Sequence, residues 1–301
     1  MKTIFITGEA GSGKTMLLRA IACQFLRHKK QQLIHFMNDV IDQHVEHAQR
    51  LIKFFKLEEQ GKAFVAAYTS DRTNRLGARS HDFDKENYKK FILGEKVSYH
   101  NHETDLLFFA RVRNFYFDEG KVPEPFRPTH SECLELIKKS TAHEANYKNN
   151  GLSEIRLVKE DSYYQYRQVN GYLCDFDEMS TAMQDNITVF CDLLIRLKIA
   201  NKGIDDISQF KGLVLIDDIA PNSTMGAMIS FTKFLEETFP NVQFIVTTSK
   251  LMVGGSYNDE DTKNLAHQLC IEKTTFVLVQ FGDGSAPCLW CCDKHTNDFH
   301  F

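Results

Sequence analysis

Residues 3–15 read Thr3-Ile4-Phe5-Ile6-Thr7-Gly8-Glu9-Ala10-Gly11-Ser12-Gly13-Lys14-Thr15, and the fold turns on how this stretch changes character. Thr3–Thr7 is a short β-branched apolar run, the pattern of a buried strand. Gly8–Thr15 then fits the eight-position phosphate-loop pattern without a mismatch, and a helical stretch follows from Lys14 to about His28. In such a loop the glycines let successive backbone N–H groups curl around phosphate oxygens, while the helix N-terminus adds partial positive charge. Gly8, Glu9, Ala10, Gly11, Ser12, Gly13, Lys14 and Thr15 form the candidate cradle. Lys14 is the residue expected to reach the β- and γ-phosphates, and Thr15 the one expected to ligate magnesium. A fortuitous glycine turn before a helix is the alternative, and the flanking strand and helix weigh against it.

A phosphate loop needs a carboxylate at the end of a neighbouring strand. Leu213-Val214-Leu215-Ile216-Asp217-Asp218 supplies four apolar residues followed by two acids. Asp217 is the expected metal-side carboxylate, and Asp218 stands where a base or water-orienting group would face the γ-phosphate. The other reading is that the acidic pair caps the next turn.

The whole chain has 301 residues, 43% hydrophobic and 25% charged, which suits one large α/β domain or a core carrying an insertion. A net charge of −4 argues against a surface that coats nucleic acid, although a local basic groove is compatible with it. No apolar run approaches the ~20 residues that span a bilayer, so a cytoplasmic protein without membrane contact is expected. Eight scattered cysteines lack the framework of a small secreted scaffold and should be reduced, several of them buried.

The resulting expectation is an α/β fold: a phosphate-loop sheet flanked by helices, with a mainly helical inserted subdomain. Residues 1–39 and 151–301 form its core and 40–150 the insert or lid. Leu33–Met37 is a candidate second strand, followed by a helical stretch through Phe54-Phe55. Within the insert, helices are expected over Glu103–Tyr116 and His130–Tyr147, around a Pro-rich stretch at Val122–Pro128. Further on, strands are expected at Ile155–Lys159, Tyr163–Val169, Leu213–Ile216 and Phe244–Thr247. Ser180 should cap one helix, and another should run near Met225–Thr238. A terminal hairpin is expected from Phe276–Phe281 and Cys288–Cys292.

The order of motifs resembles ABC-type ATPases, in particular the soluble branch with the SMC-like, RecF-like and OLD-family proteins. Phe239-Pro240-Asn241-Val242-Gln243-Phe244-Ile245-Val246-Thr247-Thr248 looks like the strand after the second Walker motif of that branch, and Phe176-Asp177-Glu178-Met179-Ser180-Thr181-Ala182-Met183-Gln184 looks like its signature motif. The resemblance covers the first thirty residues and about 150–281. It implies ATP and Mg2+ as ligands, with Ser180 reaching the nucleotide of an opposing subunit. It also implies a homo-oligomer, or a hetero-oligomer with another effector or ATPase chain, in a setting of DNA repair or anti-phage defence.

Three departures fall on residues that perform hydrolysis in that family. Asp218 replaces a glutamate and withdraws the carboxylate by about 1.5 Å, one C–C bond. Ser249 replaces a histidine switch, and Ala182 replaces the signature glycine. Catalysis by Lys14 and Asp218 is therefore expected to be slow. A pseudo-ATPase that serves as a structural subunit is the second hypothesis, and a small-molecule kinase the third.

Two weaker signals stand apart from this frame. Cys288, Cys291, Cys292, His295 and His300 invite a zinc site, although a packed hairpin accounts for the same residues. His100-Asn101-His102 reads as two histidines in a polar loop and not as a nuclease motif.

Overall fold

A computed structural model of the chain describes residues 3–8, 13–24, 64–72, 87–100, 102–107, 110–111, 128–142, 151–158, 163–201, 203–219, 221 and 223–249, together with the strands 275–281, 288–292 and 299–300. Four parallel strands form one side of a seven-stranded sheet, out to its edge. They are β1 (Ile4–Gly8), β2 (Val65–Tyr68), β6 (Gly212–Ile216) and β7 (Val242–Thr248), in the spatial order β1-β7-β6-β2. Every residue of the four is buried, as a parallel sheet covered on both faces requires. On the other side of β1 the sheet turns antiparallel through β8 (Thr275–Phe281), β9 (Cys288–Cys292) and β10 (Phe299–His300). A second, three-stranded antiparallel sheet holds β3 (Leu152–Val158), β4 (Tyr163–Gln168) and β5 (Leu173–Cys174).

The helices are α1 (Lys14–Gln24), α2 (Asn87–Leu93), α3 (His130–Thr141), α4 (Thr181–Ala200) and α5 (Met225–Thr238). Their starts follow ordinary capping chemistry. Thr129 closes a reciprocal capping box with Glu132 on α3, Ser180 accepts from the Met183 N–H on α4, and Thr224 accepts from the Ala227 N–H on α5. The expected helix at Met225–Thr238 and the terminal hairpin both appear.

The segment from 40 to 150 departs from expectation. Val65–Tyr68 is no part of a helical insert; it is the edge strand of the main sheet, paired in parallel with Leu213–Ile216. Tyr88, Phe91, Val97, Tyr99, Leu106, Leu107, Cys133 and Ile137 join the same core as the sheet. Of the expected Glu103–Tyr116 helix, His102–Leu107 is π-helical and Ala110-Arg111 α-helical, and the remainder lies outside the described residues; the next expected helix ends at Thr141. Leu33–Met37 and Phe54-Phe55 lie outside the described residues.

A buried polar network explains how so short a strand is held. From Asn186 to Leu197, α4 is buried on all sides, and it carries an internal ion pair: Arg196 Nε donates to Asp192 Oδ2 at 2.7 Å. The Tyr68 hydroxyl donates to the same carboxylate oxygen at 2.9 Å, and the His100 N–H donates to Oδ1 at 2.8 Å. Arg196 also reaches the Ser98 carbonyl at 3.1 Å, and the Tyr99 ring stacks on Tyr68 with centroids 5.5 Å apart. His100 therefore sits in the core and not in a polar loop. Burial pushes the Tyr68 phenol well above its ordinary range, with Asp192 adding to the shift, so Tyr68 serves as a neutral donor.

Cys133, Cys174 and Cys191 are free and buried, and burial pushes the Cys133 thiol up to about 12. These are packing residues without thiolate chemistry. No helix among the described residues is long and apolar enough to cross a membrane.

Removing one partner of a buried pair leaves an uncompensated charge. Arg196→Met should therefore destabilise the fold by about 3–5 kcal/mol. Adding Asp192→Asn should recover part of that loss, because the amide oxygen still accepts from Tyr68 or His100. Urea denaturation of the two single variants and the double variant measures the coupling; strictly additive losses would contradict it.

Candidate nucleotide site

The phosphate loop leaves β1 at Gly8 and enters α1 at Lys14; of its residues, Gly8, Gly13, Lys14 and Thr15 are described, and Glu9–Ser12 lie outside. Gly13 has φ +91°, a conformation that L side chains rarely adopt. Its carbonyl accepts from the Leu17 N–H at 2.9 Å and so begins the helix ladder. Lys14 folds back over the loop, its Nζ donating to the Gly8 carbonyl at 2.7 Å.

Thr15 points across the sheet to Asp217. Its hydroxyl lies 2.9 Å from both carboxylate oxygens, although the two residues are 202 positions apart in sequence. Asp217 directly follows β6, and between β6 and β1 lies β7, which contributes Thr247. The Thr247 hydroxyl donates to Asp217 Oδ1 at 2.7 Å and accepts from the Asp218 N–H at 2.7 Å. The Thr247 carbonyl accepts from the Ile219 N–H at 2.9 Å, and from the far side the Tyr68 carbonyl accepts from the Asp217 N–H at 2.8 Å. Thus α1 and β7 meet on the Asp217 carboxylate, while β2 holds its main-chain N–H.

Hydroxyl and carboxylate oxygens are the hard donors that Mg2+ takes, and a threonine hydroxyl hydrogen-bonded to an aspartate can exchange its proton contact for a shared cation. The donor set of Thr15 and Asp217 fits that ion.

Asp218 has φ +54°, the one positive value among the described non-glycine residues. Left-handed backbone costs an L residue roughly 1–2 kcal/mol, and aspartate and asparagine tolerate it best. A glutamate would fit this turn less well. The short carboxylate at this position is therefore matched to its backbone.

Arg72 was not anticipated. It follows β2 and is buried; its Nη2 donates to the Asp217 carbonyl at 2.6 Å and to the Asp218 carbonyl at 3.0 Å. Its Nη1 pairs with the Asp185 carboxylate on α4. Burial raises the Asp185 pKa, the Arg72 cation opposes the shift, and the nearby Asp218 carboxylate adds to it.

Ser180 is engaged elsewhere, as the exposed cap of α4, with Ala182 in the first turn of that helix. The Gln184 amide folds back onto the Asp177 and Met179 carbonyls at 3.2 and 3.0 Å, fastening the signature-like segment to the helix. Ser249 is exposed just past β7. The side chains of Cys288, Cys291, His295 and His300 lie outside the described residues, as do Phe108-Phe109.

Two comparisons bear on this site. Residues 1–58, the strand, loop and helix that open the chain, match the family described as PduV-EutP, ethanolamine utilisation and propanediol utilisation. Over 258 residues, 81% of its length, the chain is 23% identical to the Septu protein PtuA of Bacillus mycoides (strain KBAB4). It spans about a third of that relative, 34% of its length. The parallel sheet flanked by helices, with the loop at Gly8–Thr15, is the fold of a P-loop NTPase.

Thr247→Val should leave a buried carboxylate oxygen and the Asp218 N–H short of a partner, at a cost of about 1–3 kcal/mol. Thr247→Ser should keep most of the stability, and thermal unfolding compares the two. Asp218→Gly should gain about 1 kcal/mol by relieving the left-handed backbone. A loss of melting temperature in Asp218→Gly would mean that the carboxylate stabilises the fold more than the backbone strains it.

Proposed function

We propose that the chain binds ATP with Mg2+ and acts as a nucleotide-controlled switch or assembly subunit with slow hydrolysis. The observation that carries this reading is the contact of Thr15 with Asp217 beside Lys14, formed by residues far apart in sequence. Thr15 and Asp217 would hold Mg2+, which when bound neutralises phosphate charge. Lys14 would exchange its contact to Gly8 for the β- and γ-phosphates. Asp218 would orient the attacking water and accept its proton.

Its short side chain limits that role, and the absence of a histidine at Ser249 limits it further. These same features favour the second reading, a pseudo-ATPase that keeps nucleotide to stabilise a complex. The similarity to a Septu protein, together with the resemblance to soluble ABC-type ATPases, supports anti-phage defence as the setting and a partner chain as the effector. Ser180, exposed on α4, is available to a second subunit. Neither nucleic acid nor membrane is part of the proposal.

Thermal-shift titration with ATP and Mg2+ should raise the melting temperature of the wild type, and Lys14→Ala should remove that rise. Equal shifts in both proteins, or none in the wild type at millimolar ATP, would refute nucleotide binding here; GTP in parallel tests base preference. Light scattering with a non-hydrolysable analogue should show a larger mass than without it. Thin-layer analysis of labelled ATP separates hydrolysis from transfer to an acceptor.

A further inference from the structure

We infer that Arg72 is a positioning residue for the metal side of the nucleotide site: it fixes the Asp217-Asp218 turn by binding both of its carbonyls while Asp185 holds the guanidinium from α4. The inference rests on the reading of Thr15 and Asp217 as the Mg2+ pair.

A purely structural ion pair would need only Arg72 and Asp185. Here one amino group of the guanidinium pairs with Asp185, while the other spans two consecutive main-chain carbonyls. Those carbonyls belong to the metal-side aspartate and to the residue after it, which has positive φ. Without outside contacts the turn would relax toward ordinary backbone. Five bonds prevent this: Asp217 N–H to Tyr68, Asp218 N–H and Ile219 N–H to Thr247, and the two carbonyls to the shared Arg72 nitrogen.

The first three come from the neighbouring strands of the sheet. Arg72 reaches the turn with a charged side chain from beyond the end of β2 and binds its two carbonyls. Its planar fork suits this task, since the two nitrogens serve different partners at fixed separation. A lysine ammonium is a single point and would have to choose between them. The cation also offsets the repulsion between Asp185 and the nearby Asp218 carboxylate. If the turn loosens, Asp217 loses its aim at Thr15, and the first property to suffer is the gain in nucleotide affinity that Mg2+ provides. Contacts from Gly8–Lys14 to the phosphates do not pass through Arg72.

The test is a titration of a fluorescent ATP analogue, with Mg2+ and with EDTA, on the full chain. Wild type should bind more tightly with Mg2+. Arg72→Gln should keep its EDTA affinity within about threefold of wild type and lose most of the Mg2+ gain, a change of about tenfold, equal to 1.4 kcal/mol. Arg72→Lys should fall with Arg72→Gln, whereas Asp185→Asn, whose amide oxygen still accepts from the guanidinium, should lose clearly less.

An undiminished Mg2+ gain in Arg72→Gln would overturn the inference and leave a structural ion pair. Where Arg72→Gln does not fold, Arg72→Lys decides in the same way. Failure of the underlying site reading looks different: wild type would not bind, or Lys14→Ala and Thr15→Ala would bind as wild type does.

Discussion

Asp217, just past β6, is the residue on which α1, β7 and β2 meet. It accepts from Thr15 at the start of α1 and from Thr247 on β7, and its own N–H is tied to β2 through the Tyr68 carbonyl. A buried carboxylate without such donors would be costly, and buried hydroxyls without an acceptor would be costly too. Each element therefore needs the others in place. The start of α1, the end of β7 and the edge strand β2 are thereby tied to one acidic residue.

A second buried acid does the same for the edge of the sheet. Val65–Tyr68 is short, and its two alanines contribute little apolar area, so pairing with β6 alone would hold it weakly. Asp192 supplies the remainder by accepting from Tyr68, Arg196 and the His100 N–H. The edge of the sheet thus lies against α4, the helix whose N-terminus carries Ser180 and whose second turn carries Asp185. Arg72, four residues beyond Tyr68, joins this helix to the Asp217-Asp218 turn. The signature-like helix and the nucleotide site share a polar connection through one guanidinium.

What was legible in the sequence had a local cause. Gly8–Thr15 and Leu213–Asp218 carry their geometry in consecutive residues, and Ser180 and Met225–Thr238 carry it in caps and apolar periodicity. Val65–Tyr68 did not read as a strand because Ala66 and Ala67 are poor strand formers, and its stability comes from Asp192, 124 positions from Tyr68. Arg72 was illegible for the same reason: its partners, Asp185, Asp217 and Asp218, lie more than a hundred positions away. Thr247 was visible only as one of two threonines at a strand end. Its hydroxyl became meaningful once β7 was placed between β1 and β6.

The positive φ of Asp218 joins two observations that looked separate in the sequence. A longer carboxylate at this position would reach farther toward a phosphate, yet the turn is one that favours glycine, asparagine or aspartate. The backbone bonds that hold the turn, from Thr247 on one side and Arg72 on the other, are directed at main-chain atoms and are indifferent to side-chain length. Restoring reach by substitution would therefore work against the local backbone while leaving its supports intact. The sign of that balance depends on how much strain the supports already absorb. In a site built this way, the short acid is better understood as a consequence of the turn than as the erosion of a catalytic residue.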